Sequence, residues 1–231
     1  MTDKSRGAVL GGLRDALRAG HLPPDASPHP GSFPPDPSNP PPGDAVLVER
    51  FGRELESLTG IVHRVSSADQ AAAVILEIAR KHRAERVLAW SDGWPDCPGL
   101  GAALEQAGVE AVTVDVPQDA AGRRSALDAI EPVAVGVTGA VAGLADTGSL
   151  VLAAAAGRSR MASLLPPVHI AVLARSRIYA TLPAFLAAHP GVAGTTSNLV
   201  LVTGPSRTAD IEMTITLGVH GPREVHAIVM G

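Results

Sequence analysis

At 231 residues the chain can enclose one sizeable core, and with 45% hydrophobic but only 3% aromatic residues that core must be built from Ala, Val, Leu and Ile. A formal net charge of −4 with no sustained Lys/Arg run excludes a counterion-displacing nucleic-acid surface, and no apolar run reaches the roughly 18 residues of a membrane span. The single cysteine, Cys97, excludes an internal disulfide and cannot supply the thiolate set of an iron–sulfur cluster or a Cys-type zinc site.

Charged residues make up 18% of the chain, below the roughly 25% of an average soluble domain. That agrees with extra buried surface such as a homo-oligomer interface, and equally with an Ala- and Gly-rich compositional bias. The N-terminus leads into an amphipathic stretch rather than a signal-peptide core, so a soluble cytoplasmic protein is expected.

Residues 5–19 read as a short helix with Val9, Leu10, Leu13, Ala16 and Leu17 on one face, giving an N-terminal segment over 1–21. Residues 22–43 hold ten of the twenty prolines and read as an extended strap or linker, since so few backbone donors can serve neither helix nor central strand. From Asp44 to residue 231 the pattern is regular. Asp44 can cap a helix carrying Leu47, Phe51, Leu55 and Leu58. Ile61–Val65 reads as a strand, Ala68–His82 as a helix and Arg86–Trp90 as a buried strand. Gly99–Ala107 is helical, Val109–Val116 extended, and a short helix lies near Arg123–Ile130. Further strands are expected at Val133–Thr138, Ser149–Ala154, Val168–Ala174, Leu199–Thr203 and Val225–Met230, with a helix from about Arg177 to His189. Helices alternating with continuous apolar runs predict an α/β fold with a mainly parallel sheet flanked by helices.

Candidate ligand-binding residues cluster in Gly-punctuated loops. Asp146-Thr147-Gly148 stands just ahead of one strand. Thr203-Gly204-Pro205-Ser206-Arg207-Thr208-Ala209-Asp210 leaves another strand and is expected to enter a helix, where hydroxyls and freed amides could hold an anion. Ser206 or Thr208 serves equally well as an ordinary N-cap with Asp210 in the first turn. Asp210 and Glu212 point about 200° apart on a helix, which excludes their acting as one acid–base pair there. His220, flanked by Gly221 and Pro222, is either an acid–base group or a backbone partner in a tight turn. His63, His82, His169 and His226 are scattered and form no local metal box. Asp146 polarises a substrate or caps a turn. Cys97, in the loop Trp94-Pro95-Asp96-Cys97, reads as a plain loop thiol. Gly99-Leu100-Gly101 begins like a dinucleotide fingerprint, but Leu104 stands at the third glycine position and a Pro-containing loop separates it from the strand. No catalytic residue is assigned, and no metal site.

Four motifs taken in order resemble the lactate-utilisation (LUD) domain family, in its small-subunit branch. They are Ala145-Asp146-Thr147-Gly148-Ser149-Leu150, then Ser163-Leu164-Leu165-Pro166-Pro167-Val168-His169, then Thr203 to Glu212, then Gly218-Val219-His220-Gly221-Pro222. The resemblance spans about residues 45–231 and is strongest after 133. It implies a fold similar to the NagB/RpiA/CoA-transferase-like group. It also implies a cofactor-free subunit working with iron–sulfur partner subunits in oxidising L-lactate to pyruvate, with a small organic acid or anion as ligand. Asp146, Thr147, Gly148, Thr203, Gly204, Ser206, Thr208, Asp210 and His220 are the positions that carry over as pocket candidates. The alternative within the same fold group is a stand-alone CoA-transferase-like or formyltetrahydrofolate cyclo-ligase-like enzyme binding a nucleotide, CoA or folate.

Overall fold

The structure, a computed structural model, describes residues 11–12, 14–15, 44–91, 93–113, 117, 119–209 and 215–231. The chain divides into two units, Met1–Asp36 and Pro37–Gly231. Of the first unit the described residues are helical, within the helix expected over 5–19, and the proline-rich stretch 22–43 lies outside the described residues.

The second unit opens with helix α1 (Asp44–Ser57). Leu47, Phe51 and Leu55 recur every four residues on it, and the last two are completely buried. Burying one such side chain contributes roughly 1.5–3 kcal/mol. Strand β1 (Ile61–Val65) leads to α2 (Ala68–Lys81), whose cap Ser67 accepts from the Gln70 amide. Then follow β2 (Arg86–Ala89), α3 (Leu100–Gln106), β3 (Glu110–Thr113), α4 (Ala120–Ile130, capped by Asp119) and β4 (Val135–Gly139). Next come β5 (Ala142–Leu144), β6 (Ser149–Ala154), α5 (Met161–Leu164), β7 (Val168–Ala174) and β8 (Ile178–Tyr179). The rest comprises α6 (Leu182–Ala188), α7 (Val192–Thr195), β9 (Asn198–Val202), the pair β10 (Arg207–Ala209) and β11 (Ile215–Leu217), and β12 (Glu224–Met230).

Six strands form one sheet in the order β1-β12-β7-β4-β2-β3, and every neighbouring pair is parallel. The strand residues alternate between two cores. Ile170, Val172 and Ile228 pack with Ile75 and Leu100 from α2 and α3. Ala171, Leu173 and Val229 pack with Phe51 and Leu55 of α1 and with Leu150 and Leu152 of β6. A sheet covered on both faces explains the unbroken apolar runs.

Three expectations need correction. Ser149–Ala154 and the strand at 198–202 belong not to the parallel sheet but to a second one, β8-β5-β6-β9, which is mostly antiparallel. The helix expected from Arg177 to His189 is shorter: Ile178–Tyr179 pairs with β5, and the helix starts only after Thr181, whose hydroxyl accepts from the Ala184 amide. Residues 207–209, expected to enter a helix, form a strand paired antiparallel with 215–217. Thr208, Ile215 and Thr216 are β-branched and favour extended backbone over helix, so neither Ser206 nor Thr208 is a helix cap.

Candidate functional site

The Asp146-Thr147-Gly148 loop joins β5 to β6, and the Thr203-Gly204 loop leaves β9 beside it. Thr147 Oγ1 lies 2.8 Å from Ser149 Oγ, and Ser149 Oγ lies 2.8 Å from Thr203 Oγ1, so a chain of hydroxyls ties the loops together. Thr147 Oγ1 donates to the Asp146 carboxylate at 3.4 Å. Five candidates, Asp146, Thr147, Gly148, Thr203 and Gly204, therefore gather in one place, against the last turn of α1. There Gly148 passes the backbone of Leu55, Gly204 passes Leu58, and Arg207 Nη2 donates to the Leu58 carbonyl at 2.7 Å and to Thr59 Oγ1 at 3.1 Å. These residues hold the end of α1.

Ser149→Ala is expected to cost about 1 kcal/mol, the scale of one net hydrogen bond, because Thr147 and Thr203 lose their common partner but can turn to water. Urea denaturation measures it, and no change would show that the hydroxyl chain adds nothing to stability.

The remaining candidates sit apart. The Ser206 amide donates to the Pro222 carbonyl at 2.8 Å and its own carbonyl accepts from the Gly218 amide at 2.9 Å, which fixes the 218–222 turn. His220 is exposed on that turn and lines a surface hollow with Leu164, Leu165, Pro167 and Arg223. Thr208 takes part in β10 opposite Thr216. Asp210 lies outside the described residues.

The parallel sheet reverses its winding direction between β2 and β4, the place where open α/β sheets gather ligands beyond their carboxyl ends. Here Trp90 packs on Gly139 and donates from Nε1 to the Ser159 carbonyl at 3.2 Å, while the Arg158 guanidinium stands 5.5 Å from its ring centre. Trp94 Nε1 donates to the Val137 carbonyl at 3.3 Å. Arg177 Nη2 lies 3.1 Å from Asp96 Oδ1, whose side chain is only 12% exposed. Cys97 is buried beside them. Burial, and then the Asp96 carboxylate, push its thiol above the ordinary cysteine range, which suits packing and not nucleophilic attack. Past the carboxyl ends of β2 and β4 the chain thus gathers two buried indoles bonded to backbone carbonyls, with Arg158 over the Trp90 ring and Arg177 paired with Asp96. Sequence reasoning passed over Trp90, Trp94, Asp96 and Arg177, although both tryptophans of the chain fall within five residues directly after β2.

Residues 48–230 match the LUD domain. The chain belongs to the LUD-domain family. It is 32% identical over 170 residues to lactate utilization protein C of Geobacillus sp. (strain WCH70), covering 71% of this chain and 70% of that one. It is 33% identical over 172 residues to lactate utilization protein C of Halalkalibacterium halodurans, covering 72% and 70%. Among solved structures, a DUF162 family protein from Deinococcus radiodurans superposes with a TM-score of 0.59 at 22% identity, covering 83% of this chain and all of that one. That last likeness speaks to the fold.

Within this LUD domain, histidines that are scattered in sequence meet on neighbouring strands. His63 on β1 and His226 on β12 stack at 5.3 Å between ring centres, with His63 Nε2 3.0 Å from His226 Nδ1. His169, on β7 and on the opposite face of the sheet, places Nε2 2.9 Å from Thr138 Oγ1. Burial and the nearby His226 bring the His169 pKa down to about 3, and burial with the adjacent His63 brings His226 down to about 4. His63 is lowered too, by burial, against the opposing pull of Glu77. Glu224 lies 3.6 Å from His226 Nε2 and also holds Lys81 at 3.0 Å and His82 at 3.3 Å. Its partial burial is outweighed by these partners, so its carboxyl stays below the ordinary range. His169 and His226 lie in the amino-terminal half of their strands and are buried, and burial disfavours their charged forms; His63, at the middle of β1, is partly buried. Among the described residues no three His, Cys, Asp or Glu side chains assemble a metal centre, and no helix is long and apolar enough to cross a membrane.

Proposed function

We propose that this chain is a non-redox subunit of a lactate-utilisation system, supporting oxidation of L-lactate to pyruvate by iron–sulfur partner subunits. The observation that carries this reading is the similarity, across about 70% of each chain, to proteins named lactate utilization protein C. The chemistry of the sequence supports it. Converting lactate to pyruvate releases two electrons and two protons, and a chain with one cysteine cannot furnish the thiolate set of a cluster that would carry those electrons. The electron acceptors then belong to partner chains, and this chain contributes surfaces and a bound anion.

The test is deletion in the native host, combined with affinity capture of a tagged copy from lactate-grown cells. Lactate-dependent oxygen consumption should fall to background in the deletion strain and return with the wild-type copy. The captured fraction should carry the visible absorbance of iron–sulfur clusters. Wild-type lactate oxidation in the deletion strain would overturn the proposal and turn attention to CoA, nucleotide and folate binding by the isolated chain.

A further inference from the structure

A second cavity, of about 570 Å³, opens at the carboxyl ends of β1 and β12, between the first turns of α1 and α2. It shares no lining residue with the motif loops or the Trp90 crevice. Arg64 of β1 lies beside Val229 of β12 in the sheet register, and Arg175 enters from the turn after β7. Neither guanidinium makes an ion pair or hydrogen bond with any described residue, although two like charges facing one hollow repel each other. Glu49 is the acidic side chain in the lining, and it too is unpaired among the described residues. Two arginines against one glutamate give the lining a formal excess of positive charge, and the first turns of two fourteen-residue helices border it, the second carrying Asp69. Ser66 gives both its amide and its hydroxyl hydrogen to Gln70 Oε1, which turns the Gln70 carboxamide so that its NH₂ remains to donate. The other walls include hydrocarbon from Val48 and Val229.

From this pairing of free cations with an apolar wall, we infer that the cavity binds an organic anion with an acidic head, carboxylate or phosphate, and a hydrocarbon body. The head sits on Arg64 and Arg175, which present the fork geometry that matches such groups. The body lies along Val48 and Val229. The volume belongs to the class that encloses molecules much larger than a three-carbon hydroxy acid. The site goes beyond the role proposed above and stands whether or not the chain joins iron–sulfur partners.

The experiment is titration calorimetry on the full chain with sodium octanoate, octyl phosphate and L-lactate, at low and high salt. Octanoate or octyl phosphate should bind saturably, more weakly at high salt, and at least tenfold more tightly than lactate. The tighter of the two identifies the head group. Arg64→Ala and Arg175→Ala should each weaken that binding at least tenfold. So should Ala45→Trp, which fills the cavity from its exposed rim without changing charge. All three substitutions lie at exposed positions and should leave the thermal midpoint unchanged. The proposal is overturned if neither octyl compound gives a saturable heat or if lactate binds as tightly. It is overturned equally if the folded variants bind as the unaltered chain does.

Discussion

Gly148→Ala is expected to remove about 4 kcal/mol of folding stability, most of the reserve of a domain at the low end of the usual 5–15 kcal/mol. Two costs combine. Gly148 has φ +65°, where a Cβ costs roughly 1–2 kcal/mol. A Cβ there would also stand 2.3 Å from the Leu55 nitrogen and 2.7 Å from its Cα, backbone atoms of α1 that cannot step aside as a side chain would. Relief requires α1 to lift, and α1 carries Phe51 and Leu55, both at the centre of one core. Gly108→Ala separates the terms: it has φ +78° but open space around the added carbon, so it should cost only the dihedral, about 1–2 kcal/mol. Urea unfolding of both variants measures the difference. Equal losses would show that α1 yields easily and that the close approach at residue 148 is slack.

Acid is expected to weaken the fold well before the carboxylates are neutralised. The His169 and His226 pKa values, about 3 and about 4, lie below the roughly 6.5 of an unfolded histidine. Between these limits the unfolded chain binds protons that the folded chain refuses, so stability rises with pH. The contribution is complete above pH 6.5, is lost as the pH falls from there toward 4, and is exhausted below the folded values. At about 1.4 kcal/mol per pKa unit, and allowing for the mutual effect of the two rings, the loss is on the order of 4 kcal/mol. Glu224 acts in the same sense at lower pH, because its carboxyl lies below its ordinary 4.5. His226→Gln removes one titrating ring while keeping a polar side chain, so its unfolding free energy should vary less steeply from pH 6.5 to 4. Denaturant titrations across that range decide it. An unchanged slope in the variant would mean that the His226 ring takes up a proton in the folded protein as readily as in the unfolded one.

Elements whose own residues dictate their conformation were legible in the sequence. Ile61–Val65, Ser149–Ala154 and Val168–Ala174 occupy the limits expected of them, because β-branched and apolar runs bounded by turns leave little choice. Phe51 and Leu55 show their helix and its buried face by spacing alone. What pairs with what was not legible. Leu150 and Leu173 look alike in sequence yet belong to different sheets, since the partner of a strand is chosen by distant chain. Residues 207–209 follow a loop rich in Gly, Pro and Ser that suits a helix start, and only the later Ile215-Thr216-Leu217 run makes them a strand.

The candidate site divided along the same line. Residues close in sequence, Asp146 to Gly148 and Thr203 to Gly204, read as a cluster and do meet. Their neighbour is the end of α1, which no local pattern announces. The His63–His226 pair needed 163 residues of chain to be brought together. Arg64 and Arg175 gave no motif at all, because their common feature is a shared hollow and not a spacing.

Strand β12 comes after every other described element, yet it lies inside the sheet, between the edge strand β1 and β7. During synthesis, β1 must therefore wait, with its pairing edge open, until residues 224–230 have left the ribosome. The half-made sheet presents two unfilled edges facing a gap one strand wide, a template for any extended segment that passes. Folding should be slow, since β1 pairs with residues about 165 positions further along the chain, Ile61 opposite His226. A product broken off before Glu224 would be a sticky fragment rather than a smaller folded protein, and a cell making this chain has reason to protect it until the final strand slots in.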